Sequence, residues 1–316
     1  MVLLWNINLS LALKLGLPIL FVLIAIVRAL WVRISAPDGI PVHRAEAPAL
    51  WKAIDQMGRE LRAPKVHHIL IEDQFNASIL QAPRLGIFGW HRNYLNLGLP
   101  LLQGLTKDQA LAVIGHELGH LSRQHNRFGG WVYRLRTTWM RLTIQLDQGQ
   151  SRLGALLFQR FFNWYTPYFS AYSFVLARAD EYTADQCAAQ VAGADNARQA
   201  LSRAAAAGRY MGGDLGNRLR PELLRSPEPP ADTPARMAAS LREGATPDVL
   251  RSHLDQAMGE RTGLSDTHPS LSDRLRGLGW TESPDISWCA PPADGADAAT
   301  TLLGRTTTSR LSALLG

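Results

Sequence analysis

From Leu9 to Val32 nearly every position is apolar, the main interruptions being Lys14, Pro18 and Arg28. The densest part, Leu15 to Val27, is shorter than the roughly 20 residues that cross a bilayer. With its ends included, where Lys14 and Arg28 can reach towards headgroups and Trp31 can lie at the interface, the run is long enough. It predicts one membrane helix within residues 1–35. A buried core helix and a cleaved signal peptide are the alternatives. Against the signal peptide, the first thirteen residues carry no charged side chain and no small-x-small cleavage site follows the run.

Further along, Ile69, Leu70 and Ile71, then Phe75, Ile79 and Leu80, predict strands between Val66 and Leu80. A helix over 106–125 follows, opened by GLTKDQ with Thr106 as N-cap and Asp108 in the first turn. Trp131, Leu135, Trp139 and Leu142 then recur at helical spacing with arginines between them, as in an interfacial amphipathic helix. Leu153 to Ala177 is apolar and aromatic around a single charge, Arg160. Residues 126–178 therefore read as a helical hairpin insert. Helices are predicted over Ala197–Arg209 and 246–260, and the five prolines of Pro221–Pro234 predict an exposed loop. From Pro291 the chain resembles a linker with a short amphipathic end. The architecture expected is mainly α with a small antiparallel β-sheet, divided into an anchor (1–35), a main domain (36–284) and a tail (285–316).

Composition narrows the function. Of 316 residues, 46% are hydrophobic and nine are Trp, which excludes a disordered chain. Two cysteines, Cys187 and Cys289, cannot make a disulfide framework. The net charge of +6 is spread thinly, with no run of five basic residues and no recognisable nucleic-acid module, so no nucleic-acid partner is expected. Arg28, Arg33 and Arg44 follow the core of the apolar segment and only Lys14 precedes it. That asymmetry places the main domain on the cytoplasmic side of a cell membrane, such as a bacterial inner membrane.

The chemistry lies in residues 111–125, LAVIGHELGHLSRQH. Four residues on a helix turn through about 400°, so His116 and His120 share a face and can bind one metal ion. Glu117, one step round, can act as general base for a metal-bound water. Three ionisable groups in an apolar helix would be costly to bury without a ligand to satisfy them. A catalytic zinc takes three protein ligands and leaves a fourth position for water. The segment RADEYTADQCA, 178–188, offers Glu181 and Asp185 at i and i+4. Glu181 is the expected third ligand, and Asp185 the carboxylate that takes the free N–H of a ligand histidine. Cys187 points off that face and reads as core.

HELGH, followed by Glu181, Asp185 and Ala188 as ExxxDxxA, resembles the M48 family of membrane zinc metallopeptidases, the Ste24/HtpX-like group. DTHPSLSDRL at 266–275 is similar to the family's HP-x-x-x-x-R segment, and Phe75-Asn76-Ala77-Ser78 to its N-A strand motif. The order along the chain is the family's, and the resemblance runs from about residue 40 to 282. It implies a gluzincin-type domain with one Zn2+ on His116, His120 and Glu181, Glu117 as catalytic base, and Asp185 orienting a ligand histidine. It implies His268 as stabiliser of the oxyanion, with Arg274 either assisting or pairing with an acid of the active-site helices. Asn76 and Ala77 would begin an edge strand that receives an extended peptide through backbone hydrogen bonds.

A single ion held by residues 116, 120 and 181 requires the chain between them to cross a bilayer an even number of times. Burying the arginines of 126–152 would cost about 2.5–3.5 kcal/mol each. The insert therefore lies against the membrane, covers the cleft, or packs on the protein's own core. The expected function is a membrane-anchored zinc endopeptidase acting on peptides and on unfolded or membrane-proximal proteins, possible work for protein quality control. The alternative is a membrane adaptor with a structural zinc and little proteolysis; the intact Glu117 favours the enzyme.

Overall fold

Pro48 starts helix α1 (Pro48–Glu60), whose Leu50, Trp51, Ile54 and Met57 recur on one face and are buried. In this computed structural model the described residues are 37–83, 91–123, 152–216, 239–241, 245–263 and 268–315, with the single positions Gly16, Leu20 and Arg236. Most of the expected anchor Leu9–Val32, the first arm of the insert and the proline-rich loop lie outside them. Among the described residues, no helix is long and apolar enough to cross a membrane.

The sheet pairs β1 (Ile40–Pro41), β2 (His68–Glu72), β3 (Ala77–Pro83) and β4 (His91–Gly98) in the order β1-β2-β4-β3. It is mixed, not antiparallel as expected. β2 runs parallel to β4, while β1–β2 and β3–β4 are antiparallel. The reason is visible at Gly98. The connection from β2 to β3 passes over the end of β4, where a Cβ on residue 98 would lie 1.7 Å from the Gln74 carbonyl oxygen. With glycine there, Gly98 N–H donates to the Asn76 carbonyl at 2.8 Å. β4 thus inserts between β2 and β3, and β3 becomes an edge strand.

α2 (Leu99–Gly104) follows β4 directly, and α3 (Lys107–Arg123) begins at a capping box: Gln109 N–H donates to Thr106 Oγ1 at 3.3 Å and Thr106 N–H to Gln109 Oε1 at 3.1 Å. The sheet's Ile69, Ile71, Leu95 and Leu97 share one core with α1 and with Ile114, Leu118 and Leu121 of α3. The segment that resembled a linker joins them. Ala298, Ala299, Leu302, Leu303 and Leu311 are buried in that core, the last on α8 (Arg305–Leu315). Thr307 and Arg310 fasten this end to Glu46.

α4 (Arg152–Ala192) is one helix of 41 residues, about 60 Å long. The aromatic second arm of the insert and the segment carrying Glu181 and Asp185 are therefore continuous. α5 (Ala194–Tyr210), α6 (Pro247–Gly259) and α7 (Leu271–Gly277) enclose a second core, and Phe75 packs against both cores.

Arg203 of α5 is completely buried. Its Nε donates to the Gly104 carbonyl at 3.0 Å and its Nη1 to that of Cys289. Both carbonyls close short helical segments, where the backbone dipole favours a cation. Burial pulls the guanidinium down to about 10, so it stays charged near neutrality. Arg203→Met would leave two buried acceptors without donors, and a loss of about 3 kcal/mol is expected in chemical denaturation. An unchanged midpoint would contradict this account of the junction.

Candidate metal centre

Two glycines set the distance between α3 and α4. A Cβ on Gly119 would lie 2.9 Å from both Ala184 Cα and Cys187 Cβ, and one on Gly115 would lie 2.5 Å from Val191 Cγ2. Without side chains at 115 and 119 the helices approach closely, and Glu181 and Asp185 meet the imidazoles of α3.

His120 Nε2 is 3.0 Å from His116 Nε2. Glu181 places Oε2 3.6 Å from His116 Nε2 and Oε1 3.4 Å from His120 Nε2. One donor atom from each of the three lies within 4.8 Å of the others. Asp185 Oδ1 is 2.9 Å from His116 Nδ1. A carboxylate only accepts, so Nδ1 carries the proton and Nε2 presents its lone pair to the centre. Arg274, on α7, grips the other side of Asp185, donating from Nε to Oδ2 at 2.9 Å and from Nη2 to Oδ1 at 2.6 Å. Burial alone would raise the Asp185 carboxyl, but the hydrogen bonds from Arg274 and His116 outweigh it and hold it below the usual range. Arg274 in turn is raised: burial opposes its charge, and Asp185 overcomes that opposition.

The donor set fits a divalent cation. Two imidazole nitrogens 3.0 Å apart, both facing one carboxylate, form a set of donors that a single cation can accept. Glu181 Oε2 is buried and accepts no hydrogen bond among the described residues. Burial would raise Glu181, yet hydrogen bonds from His120 and His268 and the charge of Arg274 keep it ionised well below the ordinary carboxylate range. Nitrogen and carboxylate oxygen in a set of three suit zinc with one position left open.

Glu117 is half-buried beside this group. Burial raises its pKa, while the two histidines and a hydrogen bond to the backbone of Ile79 pull the other way. Ile79 belongs to the edge strand β3, so that strand borders the centre. Asn76 and Ala77 lie where β3 begins, with Asn76 Oδ1 accepting from Ala77 N–H at 2.9 Å. His268 is mostly exposed, with Nδ1 2.9 Å from Glu181 Oε1. His116, Glu117, His120, Glu181, Asp185, His268 and Arg274 thus meet in one region, whereas Asn76 and Ala77 lie at the start of the strand that borders it and make no hydrogen bond to the centre among the described residues.

Two residues there gave no sign in the sequence. Arg178, one turn before Glu181, donates to the Gly263 carbonyl at 2.5 Å. Thr262 Oγ1 accepts from Ser270 N–H at 2.9 Å and donates to Asp273 at 2.6 Å. They fasten the chain on either side of His268, and no local spacing encodes such contacts. Gly115 also went unread, although its place four positions before Gly119 in an apolar helix is a signal that could have found it.

The model of peptidase family M48 matches residues 53–281. The chain belongs to peptidase family M48. The resemblance read from HELGH, the ExxxD segment and the two shorter motifs is borne out, and membership supports a metallopeptidase. Among solved structures the M48 chain is similar to the crystal structure of S. mikatae Ste24p, with 17% identity, 89% of this chain and 67% of that one covered, and a TM-score of 0.43. No curated protein matches this M48 sequence.

Proposed function

We propose that this M48 protein is a membrane-anchored, zinc-dependent endopeptidase with one Zn2+ held by His116, His120 and Glu181. The observation that carries the reading is the convergence, beside Glu117, of two imidazole nitrogens and a carboxylate with one buried oxygen, Glu181 Oε2, that accepts no hydrogen bond among the described residues. Bound zinc supplies Lewis acidity and lowers the pKa of a coordinated water. The remaining work belongs to the protein's own residues. Glu117 takes a proton from the attacking water and returns it to the leaving amine. Asp185 fixes the tautomer and tilt of His116, and Arg274 fixes Asp185, which makes Arg274 a positioning residue. His268, beside Glu181 at the open side, donates to the oxyanion. The outer edge of β3 receives the substrate backbone as an added strand, which favours unfolded or extended segments over particular sequences.

Membrane attachment is supported by the apolar segment Leu9–Val32 and by the arginines after it, which place the catalytic domain on the cytoplasmic side, as at a bacterial inner membrane. It is also supported by exposed apolar side chains along α4 before Glu181: Trp164 and Tyr168 in its first half, Val175 and Leu176 just past its middle. Such a protein would act on unfolded or membrane-proximal polypeptides.

The test is hydrolysis of an unfolded, casein-type protein by the purified full chain. Activity is expected to vanish with a chelator and to return when zinc is restored. A zinc-loaded chain without hydrolysis would contradict the endopeptidase and favour a scaffold with structural zinc.

A further inference from the structure

Helix α1 ends in a way that stability alone does not demand. Ala63 N–H donates to the Gly58 carbonyl at 2.8 Å and Arg62 N–H to that of Arg59 at 3.2 Å, a Schellman stop. The residue inside such a stop adopts the left-handed conformation and is usually glycine. Here it is Arg62, at φ 52°, the one non-glycine residue with positive φ among the described residues. Strain kept at such a position points to a use for the side chain it carries.

Arg62 lines a cavity of about 550 Å³ together with Arg44, Arg59 and Lys65, and Asp55 is the single carboxylate in its wall. That carboxylate is occupied by Arg44, through contacts of 2.5 and 3.1 Å. Arg59, Arg62 and Lys65 are exposed and form no side-chain hydrogen bond or ion pair among the described residues. Lys52 lines an adjoining cavity that shares Arg44, Asp55 and Arg59. Two of the chain's four lysines therefore gather here. The floor is apolar, formed by Ile54, Val66 and Leu118, all buried. Cationic side chains around an apolar floor suit an anionic oxygen group attached to apolar carbon.

We infer that this cup binds the phosphate of an anionic phospholipid headgroup. The choice of a lipid rests on the membrane attachment proposed above and not on the peptidase reading. Arg44 follows Val32 by twelve residues, a reach of at most about 40 Å, so the cup stays near any bilayer that the apolar segment enters. A headgroup held there would orient the domain against the bilayer. Leu118, next to Glu117, would lie at the back of the same cup.

The experiment measures binding of short-chain phosphatidylglycerol and phosphatidylcholine to the detergent-solubilised full chain, with inorganic phosphate and polyglutamate as competitors. Phosphatidylglycerol is expected to bind saturably and phosphatidylcholine weakly. Each cation removed should weaken binding about fivefold, so Arg59→Gln with Arg62→Gln should weaken it about twenty-five-fold. Arg62→Gly separates a binding role from a structural one: affinity should fall about fivefold while the melting temperature holds or rises, because glycine relieves the backbone. Equal binding by wild type and the double variant, or equal affinity for both lipids, would overturn the proposal. Displacement by inorganic phosphate or polyglutamate as readily as by lipid would also overturn it, in favour of a free anion or an acidic protein. Proteolysis of a soluble unfolded substrate should be unchanged in these variants, so failure here and failure of the peptidase reading are distinguishable.

Discussion

Glu117→Gln, like the wild type, is expected to bind one zinc ion per chain, and to cleave an unfolded protein about 10²- to 10⁴-fold more slowly than the wild type. Glutamine has the shape of glutamate and its amide oxygen can still accept a hydrogen bond, so the contact with Ile79 can persist. It cannot accept the proton of the attacking water. Metal affinity should hold, because the converging donors are His116, His120 and Glu181, without Glu117. Metal content by elemental analysis and initial rates on the same preparation would decide the matter. A glutamine variant with full zinc and more than about a tenth of wild-type turnover would remove Glu117 from the chemistry.

Gly119→Ala should damage the centre without touching a ligand. The new methyl would lie 2.9 Å from Ala184 Cα and Cys187 Cβ. Backbone cannot turn aside as a side-chain tip can, so α3 and α4 must separate. Ala184 lies between Glu181 and Asp185 in α4, and any shift there carries both carboxylates away from the imidazoles. A loss of about 1–3 kcal/mol in stability is expected from overpacking, with zinc affinity weakened about 10- to 100-fold by misplaced partners. Gly115→Ala is a graded control. Its methyl meets chiefly the end of Val191, and Val191→Ala should relieve it. Gly119→Ala with wild-type stability and zinc affinity would show that the close approach of the helices is not what holds the carboxylates in place.

The sequence disclosed the parts of this site that depend on local spacing. His116 and His120 share a face because four residues make about one turn, and Thr106 marks the start of their helix with a side chain three residues from Gln109. Glu181 and Asp185 were legible for the same reason. The parallel pairing of β2 with β4 was not, because it depends on which strand β4 lies beside, a long-range choice signalled only by Gly98. The C-terminal segment misled by composition. Its Ala and Thr content resembles a linker, yet Ala298 and Ala299 are small enough to pack directly against the main core. The continuity of the aromatic arm with the carboxylate segment also went unread, since a change in chemistry along α4 looks like a boundary when the helix runs through it. Arg178 and Thr262 act through partners 85 and 8 residues away, and nothing near them in the chain foretells either contact.

The most direct test of the central claim is the zinc-to-protein ratio of the purified full chain compared with that of Glu181→Ala. One ion per wild-type chain is expected, and its loss from the variant while the helical circular dichroism is retained. A Glu181→Ala protein that keeps its zinc at wild-type affinity would contradict the claim that this carboxylate completes the metal centre begun by His116 and His120.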